Sequence, residues 1–287
     1  MKERRKTTTL RSAIGKGCIA MPGAFNAATA KLVERAGFEA VYISGAGLAN
    51  ATAGVPDIGL LSLEEVARLA GYIAQAVEIP AIVDADTGFG GPQNVARTVN
   101  EFERAGLAGM HIEDQVFPKR CGHVIGQTLI STGEMVEKIK AAVWARCDPD
   151  FLMIARTDAP AVEGLESAIK RALAYVKAGA DAIFPEALRA ASDFRAFAKH
   201  VRVPLLANMT EFGRSPLLSV RQLSAMGYRM VIFPQTAFRV AMFSEEAALR
   251  DLKRRGTQRS WLPRMQTREK LYDLLDYDPA AEHWPRR

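Results

Sequence analysis

The sequence predicts an α/β fold, a (β/α)8 barrel of the TIM type, on three observations. Eight short apolar runs alternate with longer segments of helical period. Nearly every run ends on polar or charged residues, and no shift of composition marks a second domain within the 287 residues. Eight parallel strands favour closure, and α/β barrels reach roughly 250 residues as one unit. The expected organisation is therefore a single barrel domain over 1–287, with a C-terminal helical extension from about residue 236.

The expected strands, in order, are GCIAMP (17–22), EAVYIS (39–44), PAIVDAD (80–86) and AGMHIED (108–114). DFLMIAR (150–156), DAIFPE (181–186), PLLANMTE (204–211) and MVIFP (230–234) follow. Amphipathic segments such as LEEVARLAGYIAQAV (63–77) and MVEKIKAAVWA (135–145) lie between them. Two helices announce their starts, because Ser62 precedes Glu65 by three residues and Ser131 precedes Glu134 by three, the spacing of a capping box. After the eighth strand come a helix, the stretch RRGTQRSW and a last helical segment, MQTREKLYDLLD (265–276). The final DPAAEHWPRR reads as a tail.

Composition excludes several classes. A hydrophobic content of 48% suffices for a substantial core, yet no uninterrupted apolar run is long enough to cross a membrane. The basic N-terminus, MKERRKTTTLRSAIGKG, lacks the apolar segment of a secretory signal. Cys18, Cys121 and Cys147 are odd in number and unrelated in spacing, which argues against a disulfide framework or structural zinc and for a reducing cytoplasm. The net charge of +6 collects largely at the termini, in KERRK and the final RR, without the aromatic interleaving that stacked bases need. Neither a nucleic-acid nor a membrane partner is expected.

In a barrel the C-terminal strand ends converge on one face, where active sites lie. Asp84, Asp86 and Glu113 form the best metal constellation, since carboxylates on adjacent strand ends suit a hard divalent cation, Mg2+ first. Asp84 and Asp86 point the same way only if strand pairing persists at that end. GFGG (88–91) lacks a nucleotide fingerprint and is expected to turn the backbone tightly beside these carboxylates. Arg156, Arg239 and Arg268 are candidates to grip carboxylates in bidentate fashion, so a di- or tricarboxylate is the expected small-molecule substrate. His111, within a strand, is expected to be a packed, hydrogen-bonded histidine rather than a ligand. In PKRCGH (118–123), Lys119, Arg120 and His123 surround Cys121; cations favour the thiolate and would bring its pKa near the working pH, suiting it to proton exchange.

Taken together, SGAGLANATAGVPDIG (44–59), VDADTGFG (83–90), HIEDQVFPKRCGH (111–123), ARTDA (155–159), FPEA (184–187), NMTEFG (208–213) and MQTR (265–268) carry a resemblance. The chain resembles methylisocitrate lyases, of the isocitrate lyase and phosphoenolpyruvate mutase superfamily, from about residue 10 to about 278. The resemblance implies a barrel whose eighth helix is swapped between subunits of a homotetramer. It implies Mg2+-dependent retro-aldol cleavage of 2-methylisocitrate to pyruvate and succinate, in the methylcitrate cycle of propionate catabolism, with Mn2+ as a substitute metal. Carried onto this chain, it places Asp84 and Asp86 at the metal, with Asp57 and Glu113 nearby. It assigns substrate contacts to Ser44, Gly45, Ala46, Lys119, Arg120, Gly122, His123, Glu186, Asn208, Met209, Thr210, Arg239 and Arg268. It gives Arg156 the substrate's hydroxyl and carboxylate region and makes Cys121, on a movable loop, the proton donor to the carbanion. The first base stays open among Tyr42, Asp57 and a metal-linked water. Ala46 stands where the family often has glycine.

Alternatives within the superfamily are a lyase for another 2-hydroxy diacid, such as 2,3-dimethylmalate, and an oxaloacetate decarboxylase. One methyl in a pocket changes selectivity by about 1–3 kcal/mol, which sequence does not resolve. A non-catalytic or nucleic-acid-binding barrel is the alternative of a different class, and the intact DAD, IED, Cys121 and Arg156 argue against it.

Overall fold

The computed structural model describes residues 5–124 and 126–281; the tail DPAAEHWPRR and the basic stretch KERRK fall partly outside them. The chain opens with α1 (Lys6–Lys16), β1 (Ile19–Ala24), α2 (Ala27–Arg35), β2 (Val41–Ile43) and α3 (Gly45–Leu48). A π-helical turn at Ala49–Ala53 leads to α4 (Leu63–Gln75), β3 (Ala81–Asp84), α5 (Pro92–Arg104), β4 (Gly109–Glu113) and α6 (Thr132–Ala145). Next come β5 (Leu152–Thr157), α7 (Ala159–Val162), α8 (Leu165–Lys177), β6 (Ala182–Pro185), α9 (Ala191–His200) and β7 (Leu206–Asn208). The described chain ends with α10 (Val220–Ala225), β8 (Met230–Phe233), α11 (Thr236–Arg255), a 3-10 turn at Arg259–Arg264 and α12 (Arg268–Leu274).

The eight strands pair in parallel in the order β6-β5-β4-β3-β2-β1-β8-β7. A single bridge from Ile183 to Leu205 joins the two ends, with Ile183 N–H donating to the Pro204 carbonyl at 3.1 Å, so the sheet closes into a barrel. All eight expected strands are present. The seventh is shorter than expected, because β7 ends at Asn208, whose side-chain oxygen accepts from Thr210 N–H and turns the chain. Both expected capping boxes form at Ser62–Glu65 and Ser131–Glu134. The GFGG stretch is the expected tight turn: Gly88 and Gly90 have φ of 88° and 141°, and Gly91 caps α5.

Strand side chains alternate between the two faces of a sheet. One apolar cluster fills the barrel interior with Met21, Tyr42, Ile82, Leu152, Ile154, Phe184, Leu206, Met230 and Ile232. The alternate residues, among them Val41, Val83, Met110, Met153, Ile183 and Val231, join the helices in an outer cluster. Leu10, Ala13 and Ile14 of α1 belong to the interior cluster, so the first helix plugs the N-terminal end of the barrel. Thr7 and Thr8 fasten that plug to Asp148 and Asp150, each at 2.8 Å. Replacing the fully buried Leu10 by alanine is expected to lower stability by about 2–5 kcal/mol through the cavity it leaves, read as a lower urea midpoint.

Candidate active site

The interior rows change character as they climb. Each row is apolar at the plugged end and polar at the C-terminal end: Tyr42 then Ser44, Ile82 then Asp84, Ile154 then Arg156, Phe184 then Glu186, Leu206 then Asn208. A cavity of about 310 Å³ opens above them. It is lined by Tyr42, Ser44, Ala46, Asp57, Asp84, Cys121, Gly122, His123, Arg156, Glu186, Asn208, Thr210 and Arg239. Thirteen residues proposed from sequence therefore meet in one place.

On one flank the carboxylates gather around Lys119. Its buried ammonium pairs with Asp57 and lies 2.9 Å from Asp86 Oδ1. Asp86, beyond the end of β3 at φ 47°, folds back so that its N–H donates to Asp84 Oδ1 at 3.0 Å. Strand pairing does not persist to Asp86; this turn brings the two carboxylates to the same flank, both beside Gly45. Burial opposes ionisation of Asp84, but the charges of His111, Lys119 and Arg156 outweigh it and hold the carboxyl near 2. His111 is itself kept neutral at pH 7, burial pushing its pKa down to about 4, so Lys119 and Arg156 are the cations that act there. Burial raises Asp86 to about 6 despite Lys119, with Asp84 and Asp57 adding to the rise. Burial also lifts Glu113 well above the usual carboxylate range, against the pull of Arg156 and Lys119.

Both oxygens of Glu113 are buried without accepting a hydrogen bond, and Asp86 Oδ1 has the Lys119 ammonium alone as a partner, at 2.9 Å. Oxygens of that kind are what a hard cation takes, and the surplus negative charge calls for one. Among the described residues no three acidic, histidine or cysteine side chains close into a ready ligand shell. The donor set thus fits a divalent ion that keeps several of its waters rather than one caged by protein.

On the other flank stands Arg156, buried and directed by its neighbours. Asp158 accepts from its Nε and Nη2, each at 2.9 Å, Glu113 Oε2 lies 3.3 Å from Nε and Glu186 3.9 Å from Nη1. Glu186 stays ionised: burial works against its charge, but Arg156 and the His123 contact bring it down to about 2. Asn208 donates to Glu186 at 3.2 Å. At the base of the cavity the Tyr42 hydroxyl meets His111 Nε2 at 2.9 Å, and burial together with Asp84 keeps that phenol protonated. His111 is packed and hydrogen-bonded as expected.

Cys121 arrives on the segment between β4 and α6, which is pinned on both sides. Lys119 is held by Asp57 and Asp86, as above, and His123 by Glu186 at 2.5 Å. His123 Nδ1 accepts from Arg214 N–H at 2.9 Å, so Nε2 is the nitrogen that donates. Gly122 is wedged so tightly that a Cβ would lie 2.4 Å from Glu186 and 2.6 Å from Arg156 and Asp158. The expectation of a cation-stabilised thiolate is corrected here. Burial raises the Cys121 thiol, Glu186 and Asp57 raise it further, and a hydrogen bond from the His123 backbone and the charge of Arg156 do not reverse this. Lys119 has turned to its carboxylates, and Arg120 faces outward, its backbone clamped by Gln115 at 2.8 and 2.9 Å. Cys121 is therefore a protonated thiol at neutral pH, which is the form a proton donor needs.

Three expected substrate contacts lie elsewhere. Arg120 points away for the reason just given. Met209 sits between Asn208 and Thr210 on the opposite face, buried in the outer cluster, where its sulfur accepts from Leu218 N–H. Arg268 begins α12, which packs on the outside of α2 through the Arg35–Asp273 and Lys31–Asp276 ion pairs; there it is exposed and does not line the cavity. Lys119, Asp86, Glu113 and Gly45 belong to the carboxylate flank rather than to the cavity wall. Sequence reading missed Asn50, Pro56, Pro234 and Gln235, which complete the lining. Gln235 had a usable signal: it closes the eighth strand as Glu186 closes the sixth, and its amide donates to Ser44 Oγ at 3.3 Å.

A closed barrel with a cation-ready carboxylate cluster, a buried arginine and a protonated thiol at its C-terminal mouth defines an enzyme that handles an oxyanionic small molecule. The chain belongs to the phosphoenolpyruvate phosphomutase family, whose model matches residues 10–253. It is 52% identical over 274 residues to the 2-methylisocitrate lyase of Aeropyrum pernix, covering 95% of this chain and 88% of that protein. Among solved structures it is similar to 2,3-dimethylmalate lyase, with a TM-score of 0.90, 37% identity and coverage of 95% and 92% of the two chains. It is also similar to phosphonopyruvate hydrolase in complex with oxalate and Mg2+, with a TM-score of 0.86, 33% identity and coverage of 94% and 95%.

Gly122→Ala is expected to force the loop off Glu186 and Arg156, lowering turnover while leaving the unfolding temperature within a few degrees of wild type. Alkylation of Cys121 by iodoacetamide, followed by peptide mass mapping, should accelerate only above the ordinary thiol pKa of roughly 8.5.

Proposed function

We propose that the chain cleaves 2-methylisocitrate to pyruvate and succinate by a Mg2+-dependent retro-aldol reaction. The observation that carries this reading is that Cys121 lines the same cavity as Arg156 and Glu186; burial, which raises its pKa, suits the thiol to donating a proton there. The 52% identity to a 2-methylisocitrate lyase over nearly the whole chain favours it over the 2,3-dimethylmalate alternative, to which identity is 37%.

Asp84, Asp86 and Glu113, with Asp57 beside them, would hold the Mg2+, and Mn2+ would suit the same oxygens. When bound, the ion supplies Lewis-acid stabilisation of the oxygen that becomes the pyruvate carbonyl. The protein's residues do the rest. Ser44 and its neighbours hold the pyruvyl end, with Gly47 N–H and Gln235 both donating to Ser44 Oγ and so turning its proton outward to a carboxylate. Arg156 binds the hydroxyl and carboxylate region, its free Nη1 edge turned toward Glu186. Tyr42 relays the hydroxyl proton, taking it while its own passes to the neutral His111 imidazole at Nε2, 2.9 Å away; it is not a standing phenolate, since its ionisation is opposed by burial and by Asp84. Loss of that proton lets the carbon–carbon bond break, and the electron pair passes to the α-carbon of succinate as an enediolate. The Cys121 S–H then delivers a proton to that carbon. The closed loop keeps water from quenching the carbanion.

The exposed face of α11 supports a helix-swapped assembly. This helix of 20 residues buries none of its side chains and exposes Val240, Phe243 and Leu249 at 62%, 78% and 63%. A helix of that kind needs a partner surface. Exchange of α11 with a neighbouring copy, within a homotetramer, provides one. The cytoplasm and the methylcitrate cycle of propionate catabolism are the setting this reading implies; no helix among the described residues is long and apolar enough to cross a membrane.

The test is pyruvate release with Mg2+ from 2-methylisocitrate, isocitrate, 2,3-dimethylmalate and oxaloacetate in parallel. The highest kcat/KM is expected for 2-methylisocitrate, with activity lost to chelator and restored by Mg2+; preference for another acid would reassign the substrate. Cys121→Ser should lower kcat by roughly 10²–10⁴-fold with KM little changed, and near-normal turnover would remove the thiol from its acid role. Phe243→Asp should shift the sedimentation profile toward smaller species.

A further inference from the structure

Asp114 follows Glu113 on β4, so strand alternation sends it out of the barrel, into the layer beneath α8. It touches nothing in the cavity, yet it is fully buried and heavily engaged. Its Oδ1 accepts from Asp158 N–H at 2.9 Å. Its Oδ2 accepts from the hydroxyls of Thr157 and Tyr175, each at 2.8 Å, and lies 3.5 Å from Arg171 Nη1. Arg171 is held in turn by both oxygens of Glu163, at 2.7 and 2.8 Å, and by the Ile130 carbonyl.

The ladder between β4 and β5 makes its last pairing at Glu113 and Arg156. Beyond that pair, the Asp114 carboxylate takes over what the backbone no longer does, fixing Thr157 and Asp158 against β4. Asp158 is the residue whose carboxylate grips Nε and Nη2 of Arg156, both at 2.9 Å. The chain of bonds therefore runs from α8 through Asp114 to Asp158 and ends on the guanidinium in the cavity.

We infer that Asp114 is a positioning residue for the reaction, acting through Asp158 on Arg156, with Tyr175 aiming it from α8. The inference rests on the reading of Arg156 as a substrate-binding group. It distinguishes Asp114 from a mere strand tie: a strand tie would affect folding and every activity alike, whereas a positioning residue loses its effect once Arg156 itself is altered.

The experiment compares Asp114→Asn, Tyr175→Phe and Arg156→Lys, and each of the first two combined with Arg156→Lys. Kinetic constants are measured for 2-methylisocitrate with Mg2+, and unfolding temperatures by calorimetry. Asp114→Asn is expected to lower kcat/KM by roughly 10–100-fold, the range seen when a residue supporting an active-site group is lost. Tyr175→Phe should lose less, in the same direction, and neither change should further impair Arg156→Lys. Equal losses in the wild-type and Arg156→Lys backgrounds, or wild-type kinetics in both single variants, would overturn the inference. Should Asp114→Asn fail to fold, Tyr175→Phe, which removes one hydroxyl, carries the comparison alone. If the unaltered protein releases pyruvate from none of the acids, the functional reading fails first. The same variants are then compared by their dissociation constants for oxalate, and loss of affinity that vanishes in the Arg156→Lys background still supports the positioning role. Additive losses of affinity, or no oxalate binding by the unaltered protein, would end it.

Discussion

A buried carboxylate costs several kcal/mol unless it is paired or finds a cation, and the mouth of this barrel buries five of them. Asp84, Glu113, Asp158 and Glu186 lie at 6% exposure or less, and Asp86 at 14% by its side chain. Arg156 and Lys119 are the cations set among them. Most other features of the site follow from how that imbalance is met. Arg156, supplied by the barrel itself, is claimed by Asp158 and shared with Glu113 and Glu186. Lys119 comes from the segment between β4 and α6, so satisfying the carboxylates also fastens that segment over the cavity. The Glu113 oxygens, which accept no hydrogen bond, and the Asp86 oxygen that Lys119 alone contacts mark where a further positive charge belongs.

Fastening the segment has a consequence for Cys121. A thiol two residues from Lys119 in sequence sits, once folded, half-buried in the cavity wall, where the charges of Glu186 and Asp57 act on it rather than a lysine. Burial and carboxylates then decide its ionisation, and they favour the protonated form. In the proposed cleavage this suits the thiol to donation, because the carbanion needs a proton held ready and no water in reach. Gly122 permits the arrangement: no side chain larger than hydrogen fits between Glu186, Arg156 and Asp158.

The two faces of the same strands divide the labour. Inward positions present Asp84, Glu113, Arg156 and Glu186, whereas their immediate neighbours Asp114 and Thr157 face outward and lock strand to helix. The outer layer is thus more than apolar packing at this end of the barrel. Ionic and hydroxyl contacts on its side orient the very strand ends whose other face carries the chemistry. The helix α11 departs from this scheme, since it packs little of its surface on its own barrel.

Eight strands, their order as a barrel and the polar strand ends at its mouth were legible in the amino-acid sequence, while Ala46, Asp57, Gly122 and Thr210 in the cavity wall were expected from family resemblance. Apolar runs of strand length and their polar ends are local facts, and a closed parallel barrel gathers such ends at one mouth whatever their spacing along the chain. Legible for the same reason were Ser44, Asp84, Arg156, Glu186 and Asn208. What depends on direction and surroundings came from tertiary packing. Met209 was indistinguishable in sequence from its neighbours until strand parity turned it outward. Asp86 reached the carboxylate flank by a left-handed turn past the strand end, not by strand alternation. The ionisation of Cys121 reversed because adjacency in sequence says nothing of which charges remain near after folding. The place of Arg268, on a helix docked outside α2, and the exposed face of α11 are set by packing surfaces the local sequence does not encode.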